Sequence, residues 1–322
     1  MFVKKLVGVG ITTERVSVAS LAVRSRSTAV CALWTTQLPA GCIDERTGSL
    51  QLSDMLVEVV RKIPVTLGLS CSSSRVSLVL PRQMFFTESW ILTGEQNGAG
   101  LEAILAEAQR RLPGNPNEMQ RACHWRNSSI AGHAPAAMMI AARCVGIEGY
   151  LAAMGACGVQ LENVTSPAIA RFNLLCLVHP ESMNKGVVCV TVWSSVIEYE
   201  VWIGGVLVCE RRTSTEALIA GFVVGVLQRE GQGTSEHMEG GIQRLDYIAV
   251  FGDRCETATE LGLESVLELC RVTGAEIVYP IECVRGEETA NSNFNWSEPV
   301  GAVAPYCRHL GVDSFFAKVA LP

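Results

Sequence analysis

Several chemistries are missing from this 322-residue chain. None of its 13 cysteines forms a C-x-x-C pair, so neither a zinc ribbon nor a dithiol redox motif is encoded. Cys31, Cys144, Cys176, Cys189 and Cys270 lie in apolar runs, where a reduced thiol acts as a small hydrophobe. There is no Walker motif, and Gly8-Val9-Gly10 lacks the third glycine and following helix of a dinucleotide fingerprint. The five histidines (His124, His133, His179, His237, His309) have no metal-ligand spacing. Ser72 to Ser74 form a turn without a nucleophile elbow. Basic excess is also missing: 26 Lys and Arg stand against 32 Asp and Glu, a formal net charge of -6, which excludes the electrostatic footprint of nucleic-acid binding. Apolar runs such as 221–227 fall short of the roughly 20 residues that span a bilayer. The basic start at Lys4-Lys5 leads into a run broken by Thr12, Thr13, Glu14 and Arg15, so no signal core is expected and the chain is expected to be cytosolic. The sequons at Asn127 and Asn163 then carry no meaning.

What is there is a repeated pattern. Residues 6–21 and 187–202 each read as an apolar strand, a tight polar turn and a second, alternating strand. One such hairpin opens each half of a chain that is 48% hydrophobic, enough for two packed lobes. A third strand is expected at 28–37. A helix is expected at 50–61 with Leu52, Met55, Leu56 and Val59 on its apolar face. Strands are expected at 65–69 and 75–80. After Pro81 come a strand at 85–92, an amphipathic helix at 101–112 stopped by Pro113-Gly114-Asn115-Pro116, strands at 119–125 and 136–144, and a helix at 147–156. Ser166-Pro167 opens another helix, with proline in its favoured first turn. The stretch 179–186 reads as a linker, 215–229 and 258–271 as helices, 245–251 and 275–279 as strands, and 300–310 as a closing helix.

This order of elements resembles the PilM family of type IV pilus inner-membrane assembly proteins, relatives of FtsA in the actin-like superfamily. The resemblance rests on the opening hairpin, on 76–90 followed by 101–113, on 145–166 and on 299–311. It implies an α/β, two-lobed actin-like fold, a duplicated ribonuclease-H-like unit, with a small inserted α/β subdomain of the FtsA and PilM type. The first lobe would comprise 1–177 plus 298–322, with the insert at about 84–158, and the second lobe 178–297. The family's first hairpin carries an Asp at the end of its first strand and a Gly two residues later; those positions are Gly10 and Thr12 here, and the basic position of the second strand is Ser17. In the second hairpin they are Thr191 and Trp193, and the late glycine pair is Phe251-Gly252.

A phosphate cradle needs open N–H groups and a metal-binding carboxylate. With both acids replaced, the resemblance implies a pseudo-ATPase with no catalytic residue, no metal and no resident cofactor. The hydroxyls of Thr12, Thr13, Ser194 and Ser195 leave weak ATP binding open. The expected role is a scaffold of a type IV pilus or related secretion machine at the inner face of the inner membrane. It would receive the N-terminal segment of a PilN-like partner between the first lobe and the insert, with Arg82, Phe85, Phe86 and Trp90 as candidate contacts unless they are core. Membrane association would then be peripheral, through the partner, and self-association stays open. The competing reading is an active actin-like ATPase using displaced acids such as Glu14 or Asp253; a third is the cytoplasmic part of a type II secretion L-type protein.

Overall fold

Alternation in the opening residues makes a two-faced strand. In β1 (Lys4–Ile11), Val7, Val9 and Ile11 point into one apolar cluster, while Leu6 belongs to another. The structure, a computed structural model, describes residues 4–24, 27–69, 75–92, 100–126, 135–192, 196–214, 223, 225, 245–252, 266–280 and 297–304. β1 turns into β2 (Arg15–Arg24), which pairs antiparallel with it and with β3 (Ser27–Gln37). On the other side of β1 lie β4 (Arg75–Val79) and β8 (Leu161–Thr165), both parallel. The sheet order is β3-β2-β1-β4-β8. A second sheet repeats it: β11 (Val206–Ser214), β10 (Val196–Ile203), β9 (Gly186–Val192), β12 (Tyr247–Gly252) and β13 (Glu276–Val278), with the same mix of directions. Two five-stranded sheets of one unusual order are the duplicated ribonuclease-H-like fold of actin-like proteins.

Between β4 and β8 the chain forms β5 (Phe85–Ile91), helix α2 (Gly100–Arg111), β6 (Met119–Arg126), β7 (Ala136–Arg143) and α3 (Cys144–Ala156). The three strands make a sheet of order β5-β7-β6. Its central strand is buried on both faces. Ala137, Met139 and Ala141 meet Ile104, Ala108 and Leu112 at α2, while Ala136, Met138 and Ile140 join the cluster that holds Val206 and Leu207 of the second lobe. Helix α3 sends Ile147, Tyr150, Ala153 and Met154 into the first lobe's outer cluster. There Tyr150 donates its hydroxyl to the Gly48 carbonyl (2.7 Å).

Helix α4 (Pro167–Val178) begins at Ser166, whose hydroxyl accepts from the Ile169 N–H (3.4 Å), with proline in the first turn as expected. Residues 167–177 are all buried, as in a helix held between layers. Helix α5 (Ser297–Val303) lies along it and along β1. Residues of both sheets and both helices share one cluster, including Leu6, Leu21, Phe172, Val187, Trp202, Phe251 and Val300, so the lobes have a common core. Phe172 and Trp202 stack across it at 4.1 Å and 7°. The linker 179–186 is tied down as well, with a 3-10 turn at Pro180–Asn184 and the Tyr247 hydroxyl donating to Glu181 (2.9 Å) while accepting from Lys185 (3.0 Å).

Three expectations need correction. Residues 65–69 are not a strand: Pro64, followed by Gly68 at φ 76°, closes a 3-10 turn at Val65–Leu67. In α1 (Ser53–Arg61) the buried side chains are Leu56, Val59 and Val60, whereas Leu52 and Met55 are exposed, because the helix starts later and turns its apolar stripe by a residue. The closing helix begins at Ser297 rather than 300, with Pro299 in its first turn, where a missing N–H costs nothing. The parts of the expected helices at 215–222, 224, 226–229, 258–265 and 305–310 fall outside the described residues.

Candidate functional site

A cleft of about 830 Å³ opens between the lobes. One wall is the β1–β2 turn (Ile11 to Arg15), another is Pro81 to Gln83 and the start of β5, and the third is β10 and β11 of the second lobe. Pro167 and Glu298 also line it. Two edge strands therefore border one space, since β5 ends the small sheet and β11 ends the second large sheet.

The first turn ties up three of its own N–H donors. The Thr12 hydroxyl accepts from the N–H of Glu14 (3.3 Å) and of Arg15 (3.1 Å), and the Thr12 N–H donates to the Arg15 carbonyl (3.0 Å). Thr13 and Glu14 stand at the tip, Glu14 exposed. Helix α5 lies close to Gly10: a Cβ there would sit 3.3 Å from Pro299 Cδ and 3.9 Å from Glu298 Cβ. Ser17 is buried with its hydroxyl 3.3 Å from that of Thr35. In the second lobe Thr191 is buried, pairs in register with Glu198, and its hydroxyl has no hydrogen-bond partner among the described residues. Gly252 ends β12 beside Val192. Trp193, Ser194, Ser195 and Asp253 lie outside the described residues, so the second turn has no geometry here.

Behind the Glu198 and Glu298 lining of the cleft lies a cluster that motif reading overlooked. Arg171 of α4 is fully buried. Its Nε donates to Glu200 Oε1 (2.9 Å), Nη2 donates to the same oxygen, and Nη1 donates to Glu298 Oε1 (2.8 Å). Glu198 Oε2 stands 3.5 Å from Nη2. The signal available in the sequence was a lone arginine in an apolar helix and two glutamates on the inward positions of β10. The three carboxylates hold Arg171 firmly protonated against the opposing effect of burial. Burial pushes the Glu200 carboxyl up to about 7, outweighing Arg171, with Glu210 and Glu198 adding to the rise. Burial likewise raises Cys176 and Cys189, which keeps these thiols protonated and unreactive.

A carboxyl that binds its proton more tightly folded than unfolded makes the fold lose stability as pH rises from the ordinary 4.5 to about 7. Glu200→Gln keeps the neutral form throughout. We expect the fall in stability between about pH 4.5 and about pH 7 to be smaller in the variant than in the wild type, whatever the variant's absolute stability, read from unfolding midpoints across pH.

On the described side these residues do not fit a magnesium triphosphate. The N–H groups of Thr12, Glu14 and Arg15 are bonded internally, the acidic position is a glycine with Pro299 close by, and Glu198, Glu200 and Glu298 face a guanidinium. Among the described residues no group of His, Cys, Asp or Glu is placed to hold a metal ion. The partner candidates divide. Arg82 pairs with Glu210 across the cleft. Phe85 and Phe86 are half-buried and line the cleft. Trp90 is buried in the small sheet's core with the Arg111 guanidinium 5.1 Å from its ring.

No family model and no curated protein matches the sequence. Among solved structures, a chain of the "PilM-PilN type IV pilus biogenesis complex" is similar with a TM-score of 0.61 and 17% identity, over 96% of this chain and 98% of that one. That likeness extends the fold over nearly the whole length. Looser matches, which carry no argument, are the cytoplasmic domain of EpsL of the Vibrio cholerae type II secretion system (TM-score 0.43, 10% identity, 82% and 95% covered) and a Bacteroides thetaiotaomicron protein with an actin-like ATPase fold (0.43, 10%, 88% and 93%). No described helix is long and apolar enough to cross a membrane.

Proposed function

We propose that this chain is a scaffold of a type IV pilus or related secretion machine, working at the inner membrane without hydrolysing ATP. Its work is to hold an extended N-terminal segment of a PilN-like membrane protein. The observation that carries this reading is the match to a chain of the PilM-PilN complex over almost all of both chains. The cleft agrees with it: β5 is an edge strand, and Phe85, Phe86, Thr87, Glu88 and Ser89 line the space beside it. Edge N–H and C=O groups supply affinity for an added strand, and side-chain pockets supply selectivity. The internally bonded first turn supports the absence of nucleotide chemistry.

Two titrations test the proposal. A synthetic peptide of the N-terminal segment of a PilN-like membrane protein is expected to bind, and Phe86→Asp is expected to weaken it by about tenfold or more, since a charge replaces an anchor. Labelled ATP with magnesium is expected not to bind at micromolar concentration. Magnesium-dependent micromolar binding would return the argument to an ATPase with displaced acids.

A further inference from the structure

The charge cluster between the lobes is used by neither the fold's strand pairing nor the proposed partner binding. Twelve-residue α4 carries a single charged side chain, Arg171, and the helix is buried around it. Its carboxylate partners come from distant parts of the chain: Glu198 and Glu200 from the middle strand of the second lobe's hairpin, and Glu298 from α5. Helix α5 lies against β1 of the first lobe. One guanidinium thus joins the helix that leaves the first lobe, the helix that returns to it and the sheet of the second lobe.

Charges removed from water persist only when each meets a partner of good geometry, and loss of one member leaves the others uncompensated. The neighbouring contacts reinforce the same junction. Phe172, next to Arg171, stacks on Trp202, two residues beyond Glu200. Gly301 lets α5 approach α4 so closely that a Cβ there would lie 1.8 Å from the Ala170 carbonyl oxygen, and this approach brings Glu298 to Nη1.

We infer that Arg171 is a built-in interlobe clamp, a covalent cation that fixes the two lobes in one relative arrangement with no ligand between them. Opening the lobes separates Glu198 and Glu200 from the guanidinium while Glu298 and α5 stay with the first lobe. The arrangement is therefore set by the chain itself and does not follow a bound molecule.

Amide hydrogen exchange of the full chain tests the clamp. Arg171→Met keeps a long side chain and removes the charge. In that variant the amides of α4, β10 and α5 are expected to exchange about tenfold faster or more, while those of α2 and β6 in the small subdomain keep their rates. Unchanged rates at α4, β10 and α5 in a folded variant overturn the clamp. So does equal acceleration of every slow amide, which marks Arg171 as a general core residue. If Arg171→Met does not fold, Glu298→Gln, which retains shape and loses one charge, decides by the same two patterns with a smaller acceleration. Failure of the partner peptide to bind the wild type leaves these exchange results untouched, so the scaffold reading and the clamp stand or fall separately.

Discussion

Gly301→Ala is expected to destabilise this protein by about 3 kcal/mol or more, and Gly8→Ala by a similar amount, a large share of the roughly 5–15 kcal/mol that holds a typical domain together. A Cβ on Gly301 would lie 1.8 Å from the Ala170 carbonyl oxygen, and one on Gly8 1.7 Å from the Pro299 carbonyl oxygen. Both obstacles are backbone, so no side-chain rotation relieves them. Helix α5 would have to lift from α4 and from β1, taking Val300 and Val303 out of the common core. The comparison is Gly155→Ala. That helical glycine has no atom within 4 Å of a new Cβ, and gaining helix propensity should leave the protein unchanged or stabilise it by up to about 1 kcal/mol. Thermal unfolding of the three variants reads the difference. Equal midpoints for Gly301→Ala and the wild type would mean that α5 does not seat as described.

Trp202→Ala should cost about 3–5 kcal/mol for the lost volume, with about 1 kcal/mol more for the lost ring pair. Trp202 is fully buried and stacked on Phe172, and the cluster around it draws side chains from both sheets. Because that core is shared, the whole chain should unfold in one transition with its denaturant midpoint lowered. Two separate transitions, with only one shifted by the substitution, would show that the lobes are held as independent units.

Local pattern carried much of this architecture. Both hairpins, the strand before α2, the proline stop after it and the Ser166-Pro167 helix start are written in short-range spacing, and the structure has them where that spacing places them. What spacing hides is what meets across the chain. Gly10 reads from sequence as a missing acid; the structure adds that Pro299, almost three hundred residues on, stands close above it, 3.3 Å from where a Cβ would lie. Arg171 is visible in an apolar helix, but its partners lie 29 and 127 residues away. Phe86 and Trp90 share one face of β5 and both pack on the small sheet's core, yet Phe86 stays half-buried at the cleft while Trp90 is buried, a distinction of position along the strand that spacing does not show. The closing helix starts three residues before the apolar run that marks it in the sequence, because its first turn is the polar Ser297-Glu298 followed by a well-tolerated proline.

The small sheet has a bearing on how the chain could be shortened. Met138 and its neighbours on β7 cover Val206 and Leu207, and the Leu207 N–H reaches the Met138 sulfur at 3.3 Å. Although the segment enters and leaves between β4 and β8 like a detachable module, it is also the lid on an apolar rim of the opposite lobe. Cutting it out would bare greasy strand to water on a part of the molecule that the excised residues adjoin only in space.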